Sequence, residues 1–497
     1  MAAAVETTPA APAAPATPVA GGAPAGHAQA LGRRRGFASQ TQATEQPVQA
    51  VVHGRLPEWL RGGSLLLNGP AIWDLPGRSH AHWFDGLALL HRVHFTGSGV
   101  RYASRFLDTE DARLSRARGR PELGGYDTPV VGGLPSRIWH LFNPRRTDNG
   151  CVVLSNGDGQ WLAHTESDRV TRFDPQTLAT QGELRWADKL KLPLMAAHPA
   201  VDAQGRWWNV GVRFGRRCDY VLVSAGRSGE RRVKATIACE RPGYLHAFAL
   251  GARHAVIWEC AWRAHPLRFL FAVASYAKHF DWLPDKGSRL HAVNLADGSV
   301  RSWEAPAMFA FHAVQTYERG SDIVLDLCLD AAPVVEELTI ERLRAGVPAA
   351  AARARHARLV LSPGRREARE ETLPGRFELP QVNAQRALAG PVRHVWAASA
   401  GDPAEGGGFF DRTVKFDHAS GRLAEHVFAN AVALEPLFVA RPGAGAEDDG
   451  VLLVHTLADD DAGSVVRVLD AATLQERAAV ELPRVVPFGF HGAWVGT

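Results

Sequence analysis

The 497-residue chain is poor in cysteine, methionine and tyrosine, with 5, 3 and 6 copies, and its charges nearly cancel: 56 Lys+Arg against 52 Asp+Glu leave +4. Cys151, Cys218, Cys239, Cys260 and Cys328 are odd in number and contain no C-x-x-C pair. Neither a disulfide framework nor a cysteine zinc site is readable, and a reducing, cytoplasmic compartment is the natural expectation. The small, evenly spread charge excludes a dedicated polyanion-binding surface, so no nucleic-acid partner is expected. No run of 18 or more uncharged apolar residues occurs, so no membrane-spanning helix is expected either. Residues 1–30 hold 13 Ala and 5 Pro with almost no large apolar side chain, too little buried surface to offset ordering entropy. The stretch 1–36 therefore reads as a disordered tail ahead of a single domain, 37–497. That tail lacks the apolar run of a secretory signal, and Glu6 with the late Arg33-Arg34-Arg35 cluster makes a poor transit peptide, which leaves plastid targeting open.

From residue 37 onward, short apolar or alternating runs are divided by Gly, Asp and Asn, the punctuation of β structure. Examples are Tyr220-Val221-Leu222-Val223, Ile323-Val324-Leu325-Asp326-Leu327 and Val451-Leu452-Leu453-Val454. One phrase recurs: an apolar residue, then Asp or Asn, then small or turn-forming residues, led by Asp174, Asn294, Asp417 and Asp470. An Asp or Asn at that place closes a turn through its own side chain. The intervals of 120, 123 and 53 residues read as two, two and one copies of a unit of about 55 to 60 residues, which fits a β-propeller with insertions. Helical periodicity is confined to insertions, chiefly Val334–Arg344 with the Ala/Arg-rich run near 348–357. A second insertion, 265–280, is apolar with interspersed basic residues, a composition suited to peripheral contact with a membrane headgroup region.

Against these scarcities stands a surplus of histidine, 21 copies. Most must be hydrogen-bonded core residues, but four occupy conspicuous contexts: His198 before Pro199, His246 in Tyr244-Leu245-His246-Ala247-Phe248, His312 after Phe311, and His491 in Phe488-Gly489-Phe490-His491-Gly492. Their separations of 48, 66 and 179 residues exclude a local helix site and allow ligands from inner strands of different blades to converge on a propeller axis. Neutral imidazoles suit Fe, Zn, Cu or Ni, so the spacing does not name the metal.

These contexts belong to a longer series: Gly54–Gly62, Asn68-Gly69-Pro70, His82-Trp83-Phe84-Asp85-Gly86, Thr147-Asp148-Asn149, His164-Thr165-Glu166, Ala197-His198-Pro199, Phe311-His312, Phe377–Asn383, Glu435–Val439, Glu447–Gly450 and Phe490-His491-Gly492. In content and order, from about residue 37 to the C-terminus, the series resembles the carotenoid cleavage oxygenases, the family that includes animal carotene oxygenases and a retinoid isomerohydrolase. The resemblance implies an all-β, seven-bladed propeller with helical dome insertions over an axial Fe(II) held by His198, His246, His312 and His491. It places Glu166, Glu378 and Glu435 behind three of those imidazoles, where they would fix ring orientation and offset the charge of a dication. It puts Phe84, Phe311 and Phe490 along an apolar substrate tunnel and Val152 close to the open coordination side.

The activity implied is insertion of both atoms of dioxygen across one conjugated C=C bond of a carotenoid or apocarotenoid, giving aldehyde or ketone products. A lipophilic polyene and dioxygen are then the partners. Alternatives within the resemblance are cleavage of a stilbene-type phenylpropanoid, whose Tyr and Lys phenol contacts are not located here, and retinoid isomerohydrolysis. From another class, the propeller could serve as a scaffold whose histidines are structural. Two departures stand out. The stretch Gly124–Val130 replaces a Pro-Asp-Pro-Cys-Lys signature of the animal enzymes, which weighs against a membrane-retinoid role, and Gln315 replaces an Asn.

Overall fold

The computed structural model describes residues 34–129, 146–215, 217–226, 228–265, 268, 275–346, 354–402, 408–458 and 463–496. Most of the expected tail 1–36, half of the 265–280 insertion and most of the Ala/Arg-rich run lie outside the described residues.

The fold is all-β and propeller-like. Six antiparallel sheets of four or more strands carry it among the described residues. The first runs Val153–Gly157, Gln160–His164, Thr171–Phe173 and Thr180–Glu183; the second Ala200–Val201, Trp207–Arg213, Cys218–Ala225 and Arg231–Cys239, with Leu194–Met195 beside its second strand. The third comprises Ala249–Leu250, His254–Glu259, Ser288–Asn294 and Val300–Ala305, and the fourth Ala313–Arg319, Asp322–Leu329, Arg355–Leu361 and Arg369–Arg376. The fifth is Glu378–Gln381, His394–Ser399, Arg412–Asp417 and Arg422–Val427. The last has nine strands, in spatial order Ala431–Ala440, Gly450–Ala458, Ser464–Asp470, Glu476–Glu481, Val48–Gly54, Gly99–Phe106, Leu87–Thr96, Ser64–Ile72 and Gly492–Val495.

Burial follows strand order within each sheet. Second strands such as Asp322–Leu329 and Gly450–Ala458 are covered on both faces, which is why they read as nearly unbroken apolar runs. Fourth strands such as Arg369–Arg376 and Arg422–Val427 are largely exposed and charged, an arrangement that discourages edge-to-edge association. Neighbouring sheets therefore bury their middle strands against each other, and their first strands face inward. Those first strands touch in series: Val153–Gly157 meets Ala200–Val201, Ala249–Leu250 meets Ala313–Arg319, and contact continues through Glu378–Gln381, Ala431–Ala440 and Gly492–Val495 back to Val153–Gly157. The missing link, between the second and third sheets, is bridged by the His198 N–H donating to the His246 carbonyl at 3.3 Å.

The recurrent turn phrase takes one place in this scheme. Asp174, Asn294, Asp417 and Asp470 each accept backbone N–H groups through Oδ1 two residues on, at 2.8 to 3.0 Å. Each closes the turn between the third and fourth strands of a four-strand unit. The two long intervals arise because the second and fourth sheets lie between and use other turns. The helical insertion expected over Val334–Arg344 forms as two pieces, Val335–Leu338 and Ile340–Arg344, broken at the extended Thr339. Their apolar side chains Val335, Leu338, Ile340 and Leu343 join the aromatic cluster around Phe311 and Phe490, so the insertion roofs one end of the ring.

The motif Thr147-Asp148-Asn149 is a fold clamp. Asp148 accepts the N–H groups of Glu110 and Asp111 at 2.8 and 3.0 Å, capping the helix Glu110–Arg118 where its dipole favours negative charge. Asn149 accepts from Ala88 N–H at 2.8 Å and donates to the Gly86 carbonyl at 2.7 Å, joining the first sheet to the loop that carries Phe84.

Candidate metal centre

Each of the four singled-out histidines lies just before a first strand: His198 before Ala200–Val201, His246 before Ala249–Leu250, His312 before Ala313–Arg319 and His491 before Gly492–Val495. Because the first strands ring the axis, equivalent positions at one end of four units point at one place. The ring centroids of His198 lie 4.9, 4.8 and 4.4 Å from those of His246, His312 and His491, and His312 lies 5.3 and 5.0 Å from His246 and His491. One ring nitrogen from each of His198, His246 and His312 falls within 4.8 Å of the others.

The three glutamates stand behind this cluster. Glu166 Oε1 lies 2.6 Å from His246 Nδ1, Glu378 Oε2 lies 2.5 Å from His312 Nδ1, and Glu435 Oε1 lies 2.7 Å from His491 Nδ1. Each carboxylate accepts the Nδ1 proton of its imidazole, which fixes the tautomer and leaves the Nε2 lone pair free. The carboxylates are themselves aimed: Glu378 accepts the Leu379 N–H at 2.6 Å, while Glu435 accepts from Gly492 N–H and Gln381 Nε2 at 2.8 Å each. Among the described residues no carboxylate backs His198 in this way; its Nε2 lies 3.2 Å from Nε2 of His312.

This donor set fits a cation. Two imidazole nitrogens at 3.2 Å repel unless a proton or a metal ion lies between them. Burial, and then the neighbouring His491, His312 and His246, hold His198 well below the ordinary imidazole range, and burial followed by His312 and His491 does the same to His246. Both are therefore neutral, the form that binds metal. Among the described residues, none of Glu166, Glu378 and Glu435 is paired with Lys or Arg; their ion-pair partners are the three histidines. Three buried carboxylates without a cation are costly, and a metal ion at the imidazole cluster would supply the positive charge they lack.

Aromatic side chains wall one side of the cluster. Phe84 stacks on His246 at 6.2 Å and contacts Phe311 at 6.1 Å and Phe490 at 4.8 Å, and Phe311 lies 5.0 Å from His246. Val152 is buried in the large hydrophobic cluster that also holds Phe311 and Phe490. The structure thus brings the four histidines, the three glutamates and the three phenylalanines expected from sequence into one neighbourhood, and adds others. Tyr244 donates its O–H to Glu166, and Tyr276 also hydrogen-bonds this carboxylate, while Tyr126 packs at 6.0 and 5.3 Å from their rings. Burial pushes the Glu166 carboxyl up to about 8, against the lowering effect of the two phenols. Tyr244 was findable: two residues before His246 in extended chain, its side chain shares a face with the ligand. Tyr126 and Tyr276 carry no such local signal.

His164 is buried, bonded to Ser155 Oγ at 2.7 Å and lowered to about 3 by burial. Asp326, His356 and His418 form a second group close enough to hold an ion, but the Arg358 guanidinium already grips Asp326 at 2.7 and 2.9 Å. Gln315 bonds the same carboxylate at 2.8 Å and accepts the Val392 N–H at 2.9 Å, so this departure serves a polar clasp between the fourth and fifth sheets.

A family model described as retinal pigment epithelial membrane protein matches residues 37–496. The chain belongs to that family, the carotenoid cleavage oxygenases. A carotenoid cleavage dioxygenase 8 homolog A, chloroplastic, from Oryza sativa subsp. japonica is 32% identical over 472 residues, covering 89% of this chain and 84% of the relative. The mitochondrial carotenoid-cleaving dioxygenase of Homo sapiens is 25% identical, covering 92% and 90%. Among solved structures, a variant of the Synechocystis apocarotenoid oxygenase aligns with a TM-score of 0.81 at 24% identity, covering 94% of this chain and 99% of that one. The cobalt-substituted form of the same oxygenase aligns with the same score and coverage. This carotenoid cleavage oxygenase is thus similar to its relatives over nearly its whole described length.

Proposed function

We propose that the protein is an Fe(II)-dependent dioxygenase that cleaves one conjugated C=C bond of a carotenoid or apocarotenoid to two carbonyl products. The observation that carries this is the cluster of four imidazoles backed by three buried carboxylates that have no Lys or Arg partner among the described residues; relatives named as carotenoid-cleaving enzymes supply the substrate class. His198, His246, His312 and His491 would hold the iron, and four neutral ligands leave coordination positions open. Bound Fe(II) would supply activation of dioxygen toward an electron-rich polyene, which provides the electrons itself. The chain's own work is geometric. Glu166, Glu378 and Glu435 hold three rings in place; Phe84, Phe311 and Phe490, with Val152, offer an apolar wall that orients a polyene and excludes water from the reacting bond.

In this reading the nine-stranded sheet counts as two blades joined edge to edge between Glu476–Glu481 and Val48–Gly54, giving seven blades in all. The in-series contact of seven first strands supports that count, and the insertions roofing the aromatic cluster correspond to the dome. Residues 37–497 form the catalytic domain, and Gly36, expected to lie in the tail, already belongs to it, its carbonyl accepting the Phe488 N–H. No helix among the described residues is long and apolar enough to cross a membrane; contact with a membrane surface through 265–280 stays part of the proposal on composition and on the insolubility of a polyene. The chloroplastic rice relatives favour a plastid over the cytoplasm expected from composition.

The test is metal analysis of the purified protein, followed by mass spectrometry of products after aerobic incubation with β-carotene, an apocarotenal and resveratrol. One iron per chain and oxygen-dependent cleavage of a carotenoid or apocarotenoid are expected. A folded protein that binds no iron overturns the proposal, and cleavage of resveratrol alone moves it to the stilbene class.

A further inference from the structure

His491 leads into the strand Gly492–Val495, which pairs with Ser64–Ile72, and its approach runs through the irregular segment Phe488–Phe490. That segment is gripped by residues 450 positions away in sequence. The Gly36 carbonyl accepts the Phe488 N–H at 2.9 Å, and a Cβ at Gly36 would fall 2.2 Å from the Phe488 ring. Phe37 is fully buried and packs edge-on against four rings: Phe488 at 5.2 Å, Trp83 at 5.2 Å, Phe409 at 6.0 Å and Trp73 at 6.2 Å.

The grip passes on toward the metal centre. Trp83 donates its indole N–H to the Phe488 carbonyl at 2.8 Å and packs with its ring tilted against Phe490 at 4.6 Å, and Phe490 immediately precedes His491. The segment bearing Phe37 is itself fastened at both ends. Arg344, from the roofing insertion, donates to the Phe37 carbonyl at 3.1 and 2.8 Å while holding Asp74 bidentately at 2.9 and 2.8 Å. Ser39 Oγ accepts the N–H groups of Trp73 and Asp74 at 2.9 and 2.8 Å, and the Gln40 N–H donates to the Ala71 carbonyl at 2.7 Å.

We propose that Phe37 is a positioning residue for the metal centre, and that Gly36–Gln40 is a strap that sets the direction of the His491 imidazole by clamping Phe488 and Trp83. The inference rests on the metal-centre reading above. It is a mechanical one: Phe37 touches no ligand, but it fills the space into which Phe488 and Trp83 would relax, and both are bonded to the backbone that aims His491. Interiors transmit such displacements because they are close-packed.

The test uses the full-length protein freed of metal and titrated with Co(II) alone, following affinity and the visible ligand-field bands, with calorimetry of the metal-free form. Phe37→Ala should weaken Co(II) binding at least tenfold and shift the bands, and Phe37→Leu, which refills most of the volume, should restore most of both. Phe416→Ala, an equally buried phenylalanine in the fifth sheet, serves as the control: it should lower the melting temperature while leaving affinity within twofold and the bands unmoved. If Phe37→Ala does not fold, Phe37→Val, which leaves part of the space empty, carries the test with a smaller loss of affinity and a smaller band shift. Unchanged affinity and bands in the position-37 variants, or an equal loss in Phe416→Ala, overturn the strap. Absence of Co(II) and Fe(II) binding in the wild type overturns the metal-centre reading itself, a result distinct from either.

Discussion

Glu378 shows how one side chain serves both fold and site. It starts the first strand of the fifth sheet, accepts the Leu379 N–H, and turns its Oε2 onto His312 of the neighbouring sheet. Its charge holds the Nδ1 proton of the imidazole in place and would offset the charge of a metal ion. Glu378→Gln keeps the shape and removes the charge, so metal affinity should fall about 10–100-fold with little change in the metal-free melting temperature; equilibrium titration with Fe(II) or Co(II) reads this directly. Asp111 gives the opposite case, a carboxyl whose burial works against the fold. Burial holds it up to about 6 despite hydrogen bonds from Thr147 and Ser115, against 3.8 for an ordinary aspartate. The folded state therefore keeps a proton that the unfolded chain has lost between about pH 4 and pH 6. Stability from this group is highest below pH 4 and is lost as pH rises through 6, at a cost of about 3 kcal/mol. Relative to wild type, Asp111→Asn should gain stability across that window, and denaturation at pH 4 and pH 7 checks it; a difference that does not change with pH refutes the assignment.

At the scale of elements, the decisive contact is the crossing of Ser64–Ile72 with the segment before His491. Gly69 and Gly489 meet so closely that a Cβ on Gly489 would lie 2.2 Å from the Asn68 carbonyl oxygen, and one on Gly69 would lie 2.4 Å from Gly489 Cα. Both neighbours are backbone, so neither can swing aside. That is the physical content of the Asn68-Gly69-Pro70 motif and of the glycine in Phe488-Gly489-Phe490. Gly489→Ala should cost about 3 kcal/mol or more by overpacking, seen as a large fall in melting temperature, whereas alanine at Gly364, which has open space but a φ of +76°, should cost about 1 kcal/mol. The same scale explains the helical insertion: its apolar period was legible, but the break at Thr339 follows from the isolated bridge of that residue to His82, a contact between chain segments more than 250 positions apart.

Over the whole molecule, the four histidines come from four different sheets, so a metal ion held by them, as proposed, would tie the ring together across its axis. Binding to the folded state alone adds stability by mass action, about 2.7 kcal/mol when free metal is 100 times its dissociation constant. Loading the metal-free protein with Fe(II) under anaerobic conditions should therefore raise the melting temperature as one cooperative transition, and a chelator should reverse it. His312→Ala should abolish that rise while leaving the far-ultraviolet spectrum of the propeller intact. A rise of equal size in the His312→Ala variant places the ion elsewhere.

What the sequence by itself determined is what local chemistry fixes. Alternating and continuous apolar runs set the strands, Asp174, Asn294, Asp417 and Asp470 set equivalent turns through their own side chains, and residue type together with family resemblance singled out His198, His246, His312 and His491. Only the tertiary structure decided which groups face each other across the axis and through what backing. The Tyr244, Tyr276 and Glu166 network, the seating of Phe37 against Phe488, and the capture of Asp326 by Arg358 all join residues distant in the chain. Their pairing depends on the angle at which sheets pack and on backbone approaches of a few ångströms, quantities that closure of the ring sets and no local pattern records.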